Sequence, residues 1–172
     1  MKRFFYLFLL IPFLTFTTSC SSDDDDEEVE NIGTVTGTWG FESTTASVES
    51  DGSLSTIANP LLAVALQTYA GSQEPSYYIF KDDNTFETYV SATEGTELSG
   101  SGTYSLSDNT LTLTYSETSS VVTFDVITAN ETTLKIRKDY SSSYLYWGAD
   151  LLGQYTGLTI TKANATMTYG KS

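Results

Sequence analysis

Between residues 100 and 128 apolar and hydroxylated side chains alternate, and this alternation constrains the fold more than any other feature of the chain. In GSGTYSLSDNTLTLTYSE (100–117), Tyr104 and Leu106 fall on one face of a run. Leu111, Leu113 and Tyr115 fall on one face of the next, with Thr or Ser between them. A period of two belongs to extended strands, and a half-apolar pattern belongs to a sheet wetted on one side only. The runs are separated by KDDNTF (81–86), LSDNTL (106–111) and TANETT (128–133). Asparagine tolerates left-handed backbone and caps its own turn, so each of these segments reads as a hairpin corner.

Strands are expected near 35–46, 76–81, 85–92, 98–106, 110–117, 120–128, 132–139 and 157–168. Eight antiparallel strands in up-and-down order can close on themselves and remove both sheet edges, so the expected fold is an all-β, eight-stranded barrel. Phe86, Val90, Leu106, Leu113, Tyr115, Phe124, Val126, Leu134, Ile136 and Ile160 are expected inside it, with Gly100 and Gly102 thinning one wall. A barrel of this size is filled by its own side chains or holds one small ligand.

Two segments break the alternation. ANPLLAVALQTYAG (58–71) carries Asn59 as a helix N-cap, Pro60 at the first helical position and Gly71 just past the end, which predicts a helix over 59–70. Leu61, Leu62, Val64, Leu66 and Tyr69 make it apolar nearly all round, so it plugs the barrel or touches something outside it. YWGADLLGQY (146–155) predicts a short helix before the last strand.

The N-terminal segment is of another kind. Lys2 and Arg3 precede an apolar run from Phe4 to Phe16, too short to span a bilayer and charged as a secretory signal requires. Small residues then lead into Cys20, the chain's one cysteine, and Asp23–Asp26, Glu27, Glu28 and Glu30 follow. This resembles a bacterial lipoprotein signal, which implies removal of residues 1–19 and acylation of Cys20. The alternative is a secreted protein with one unpaired thiol, a liability in an oxidising compartment.

Residues 20–31 form a like-charge tether that spans at most roughly 40 Å. Acid directly behind such a cysteine resembles the surface-export signal of Bacteroidetes lipoproteins, implying an outer-membrane anchor that faces the exterior; a plain acidic spacer is the alternative. The domain expected is 32–172, about one compact unit. Loss of Lys2 and Arg3 takes the formal charge from −14 to −16, and setting aside seven tether acids leaves −9 on the domain. Such a surface does not suit nucleic acid.

Gly37-Thr38-Trp39, opening the first long strand, is a G-x-W sequence. Together with YYIFKDDNTFETY and the GTY…DNTLTL meander, it makes residues 33–168 resemble the lipocalin-like domains of Bacteroidetes lipoproteins. The resemblance implies that Trp39 closes the barrel floor under a basic side chain, with Arg137 or Lys162 as the candidates, and that the barrel binds a small apolar molecule.

The chain has no histidine, and acylation would consume Cys20, so neither a Ser-His-Asp nor a Cys-His arrangement can be built, and zinc loses its usual ligands. Asp82, Asp83 and Asp108 sit at hairpin corners, where aspartate serves turn geometry. No enzyme activity, cofactor or metal is expected. Aromatic residues remain: Tyr140, Tyr144, Tyr146, Trp147 and Tyr155 share one connection. Trp147, Tyr144, Tyr146, Leu62, Leu66 and Tyr69 are the candidate lining of a ligand site at the barrel mouth. The bland reading makes them a satellite core that seals that end. The expected function is ligand binding by a lipid-anchored barrel; its rival is a filled, rigid module that docks another envelope protein.

Overall fold

The computed structural model describes residues 32–172, so the leader, Cys20 and the acidic tether lie outside the described residues. Strands β1 (Gly37–Asp51), β2 (Tyr77–Phe80), β3 (Thr85–Ala92), β4 (Gly95–Ser107), β5 (Thr110–Tyr115), β6 (Val121–Ala129), β7 (Thr133–Asp139) and β8 (Thr159–Lys171) follow one another around a closed barrel. Each pairs antiparallel with its neighbours, and β8 returns to β1 from Trp39↔Lys171 to Asp51↔Thr159. The expected strands are all present. β1 extends five residues beyond the expected end at 46, because β8 continues to pair with it there.

The corners show why these sequences turn. Asp108 and Asn109 both adopt positive φ, at 47° and 65°, between the last pair Ser107↔Thr110. That is the two-residue turn whose twist matches the strands on either side. Asn84 turns the β2–β3 corner at φ 61°. Asn130 works differently: its side-chain oxygen accepts from the backbone N–H groups of Thr132 and Thr133 at 3.0 and 2.8 Å. Asp83 likewise accepts from the Thr85 N–H and hydroxyl, and these bonds hold its carboxyl below the usual carboxylate range.

These corners lie at one end of the barrel, and Trp39 fills that end. Its side chain is fully buried and its indole N–H donates to the Val35 carbonyl at 2.7 Å. The cation over its ring is Lys171, 5.2 Å from the ring centroid. Neither expected candidate supplies it. Arg137 lies on the outer face of β7 with Asp125, 3.4 Å away, and Lys162 reaches Glu49. The register explains the substitution: Trp39 is directly opposite Lys171, whereas Arg137 pairs with Thr166 further up β8.

Helix α1 (Ser55–Gln73) occupies the other end and packs on β1 and β8. It is longer than the predicted 59–70. Asn59 is not its cap; it lies within the helix and accepts a hydrogen bond from the Ser50 hydroxyl at 2.6 Å. The first turn starts at Leu54, whose carbonyl takes the N–H groups of Ile57 and Ala58. Pro60 then removes a bond only from the carbonyl of Thr56, an exposed residue that water can serve. Gly71 does not end the helix either, but lets it approach β1, where a Cβ would meet Thr44 Oγ1 at 3.3 Å. The stop comes from Glu74-Pro75, because a residue before proline is driven out of helical backbone; Glu74 has φ −81° and ψ 141°.

Ala58, Leu62, Leu66 and Ala70 form one fully buried row on α1, four residues apart. Small residues at its ends and leucines at its middle fit the concave wall that includes Ala163 and Ala165 of β8. Between β7 and β8 the chain makes a 3₁₀ turn (Ser141–Ser143), α2 (Tyr144–Trp147) and α3 (Ala149–Gln154), which cap α1 from outside.

Most of the expected interior is buried, including Phe86, Leu113, Phe124, Val126, Leu134 and Ile136. Val90 is the clear exception, at 39% exposure. It lies one step past the last β2–β3 pair, Tyr77↔Tyr89, so β4 flanks it through Glu97 but β2 does not reach it. Leu106, Tyr115 and Ile160 are half-buried. Phe86 and Tyr115 meet edge to face at 5.0 Å over Gly100 and Gly102, whose missing side chains make room for them.

Candidate functional site

The barrel is filled at its Trp39 end, and a cavity of about 360 Å³ remains beside α1 at the other. It lies between the last turn of α1 and the ends of β2, β5, β6 and β7. Tyr69, Tyr78, Tyr115, Phe124 and Tyr140 supply five aromatic walls, and Glu74 and Lys138 supply one charge of each sign. A volume in this range suits a small organic ligand.

Local sequence places each group. Pro75 holds Glu74 extended immediately after the helix, bringing its carboxylate between β2 and β8. Its Oε2 accepts the Tyr169 hydroxyl at 2.6 Å and the Tyr78 hydroxyl at 3.4 Å. Lys138 continues the inward row Leu134, Ile136 of β7, and its ammonium rests 5.0 Å from the Tyr140 ring centroid and 5.9 Å from that of Phe124. Tyr140 in turn meets Tyr69 edge to face at 6.1 Å.

Burial pushes the Glu74 carboxyl above its ordinary range, against the opposing pull of Tyr169, the Lys138 charge and Tyr78. Burial also raises the Tyr78, Tyr169 and Tyr140 hydroxyls, and the neighbouring Glu74 charge adds to the rise in all three. The three phenols therefore stay protonated at neutral pH. Among the described residues no cluster of His, Cys, Asp or Glu could hold a metal ion.

The six expected lining residues do not form one site. Tyr69 lines the cavity. Leu62 and Leu66 are fully buried under α1, because the helix turns its leucine row onto the barrel. Trp147 is buried too, with its indole N–H donating to the Tyr140 carbonyl at 3.3 Å, so it buttresses the wall from behind. Tyr144 and Tyr146 point outward, Tyr146 at 79% exposure. Tyr146 and Trp147 do border a second hollow of about 320 Å³, against Ala65 on the outer side of α1.

Glu74, Lys138, Tyr78 and Tyr115 were missed as site residues. A signal existed for Lys138: Leu134 and Ile136 alternate inward, so a lysine two residues on faces the interior. Nothing local marks Glu74, which meets Tyr169 only when β8 closes the barrel.

Compared with models of protein families, residues 15–136 match one described as Lipocalin-like domain. The matched span ends just before Lys138 and Tyr140 and does not include β8. No curated protein matches the chain.

Proposed function

The chain belongs to the lipocalin-like domain family, a binding fold, and from that premise we propose that it takes up a small aromatic or apolar molecule in the Glu74–Lys138 cleft. The observation that carries this reading is the cavity itself, about 360 Å³, walled by five aromatic rings beside an otherwise filled barrel. Rings supply large contact area at low entropic cost, and the few polar groups fix orientation. Fold alone does not choose a ligand, so the walls must.

Tryptophan fluorescence tests the reading. Trp147 bonds to the carbonyl of Tyr140, a wall residue, so occupancy should perturb its emission in a Trp39→Phe background. A broad panel of small aromatic and apolar compounds that leaves Trp147 emission and calorimetric heats unchanged counts against binding.

The anchor completes the proposal: lipid on Cys20 holds the barrel on the outer membrane, and the acidic tether behind it directs the domain to the exterior. Support comes from the leader, the single cysteine and the seven acids that follow it. Stable attachment needs more than one acyl chain, which lipoprotein processing supplies. Cys20→Ala should abolish incorporation of labelled palmitate and release the protein from the envelope. Protease added to intact cells should digest the wild-type domain.

A second reading makes the outer face of α1 the working surface toward an envelope protein. It rests on Ile57, Leu61 and Val64, exposed together on one side of the helix. The cleft gives the first reading the greater weight.

A further inference from the structure

Among the described residues, Glu74 and Lys138 are the only carboxylate and ammonium on the cleft, and they do not pair with each other. Among the described residues neither belongs to any ion pair, whereas Lys81, Arg137 and Lys162 each find an acid. The Glu74 charge is held where charge is costly. Glu74 is partly buried and follows the last turn of a 19-residue helix, whose negative end disfavours a carboxylate. Lys138 stands on the inner face of β7 against two aromatic rings. Glu74 Oε2 is occupied by two phenols, while Oε1 has no hydrogen-bond partner among the described residues.

Two unlike charges facing one aromatic cleft without closing on each other define a bipolar site. A simple cation would meet Lys138. A simple anion would meet Glu74 and a domain carrying a net charge of −9, the sum left after the leader's two cations and the tether's seven acids are set aside from −14. A molecule with both charges and no net charge meets neither objection. We infer that the cleft is built for a small aromatic zwitterion of the class of free aromatic amino acids. The ligand ammonium donates to Glu74 Oε1, its carboxylate accepts from Lys138 Nζ, and its ring packs among Tyr69, Tyr115 and Tyr140. This inference rests on the cleft being the binding site.

Calorimetric titration of the detergent-solubilised full chain tests it. L-phenylalanine, L-tyrosine and L-tryptophan are compared with 3-phenylpropionate, phenethylamine and neutral p-cresol. At least one amino acid should bind about tenfold or more tightly than the singly charged and neutral rings, the margin of one charge-assisted hydrogen bond. Glu74→Gln and Lys138→Met should each erase that margin, bringing the amino acid's affinity to within about twofold of p-cresol's for the same variant, with near-ultraviolet circular dichroism reporting that each variant is folded. The wild-type comparison decides the matter even where a variant does not fold. If p-cresol or a singly charged ring binds as tightly as every amino acid, the zwitterion inference falls and the cleft reading stands. If no probe of any charge binds, both fall.

Discussion

Tyr169, on the last strand, donates its hydroxyl to Glu74 Oε2 at 2.6 Å, joining residues 95 apart in sequence. The bond ties the exit of α1 to the strand that closes the barrel. It also puts a carboxylate where solvent is scarce, which makes Glu74 the group whose substitution says most about the site.

Glu74→Gln should stabilise the protein at neutral pH. Burial raises the folded-state carboxyl above its ordinary value of 4.5, so the neutral form is the one the fold prefers. A raised group contributes its full share of stability only below its unfolded value and loses that share as pH rises through the folded value. The wild type therefore carries a penalty at pH 7 that the amide lacks. Urea midpoints of the two proteins should differ at pH 7 in favour of Gln and converge below pH 4.5; a wild type more stable at pH 7 would refute the burial account.

Tyr169→Phe should destabilise by about 1.5–3 kcal/mol, the range for a hydrogen bond to a charged group. Its removal also withdraws a bond that lowers the Glu74 carboxyl, so the Glu74 titration should move further upward. Denaturant unfolding reads the first effect and carboxyl-resolved NMR titration the second.

Trp39 and Lys171 should differ sharply in cost. Trp39→Ala leaves a cavity and an unpaired Val35 carbonyl and should cost about 3–5 kcal/mol. Lys171→Met removes only an exposed cation from the ring face and should cost no more than about 1 kcal/mol. Equal thermal shifts for the two variants would contradict the division of labour at the floor.

Gly102→Ala should cost about 1–3 kcal/mol, because a Cβ there would overlap the Thr114 carbonyl and approach Phe86 Cε1 to 2.9 Å. Backbone cannot yield as a flexible side chain can. Gly153→Ala meets nothing within 4 Å in α3 and should stabilise by up to about 1 kcal/mol. Chemical denaturation of the pair checks both signs.

The strands were legible because their signals are local. Thr-Leu-Thr-Leu states the period within one run, and Asp108-Asn109 states the turn, since each residue's own backbone preference selects it. Helix α1 was legible as a helix but not in its limits. Gly71 carries the same letter whether it ends a helix or admits Thr44, and only the neighbouring strand tells which. The candidate site was half legible. Tyr69 and the inward row leading to Lys138 could be read from their own segments, whereas Leu62, Leu66 and Trp147 looked like ligand contacts only while their partners were unknown.

Taken alone, the sequence determined the closed antiparallel meander, its corners, the presence of a helix after β1 and the acidic balance of the chain, because alternation, turn preference and charge belong to individual residues and their immediate neighbours. Tertiary structure decided which cation covers Trp39, which face of α1 turns inward, and that Glu74 and Lys138 look into the same cleft. Those outcomes depend on register and on the distance between segments far apart in the chain, and side-chain identity does not encode either until the last strand pairs with the first.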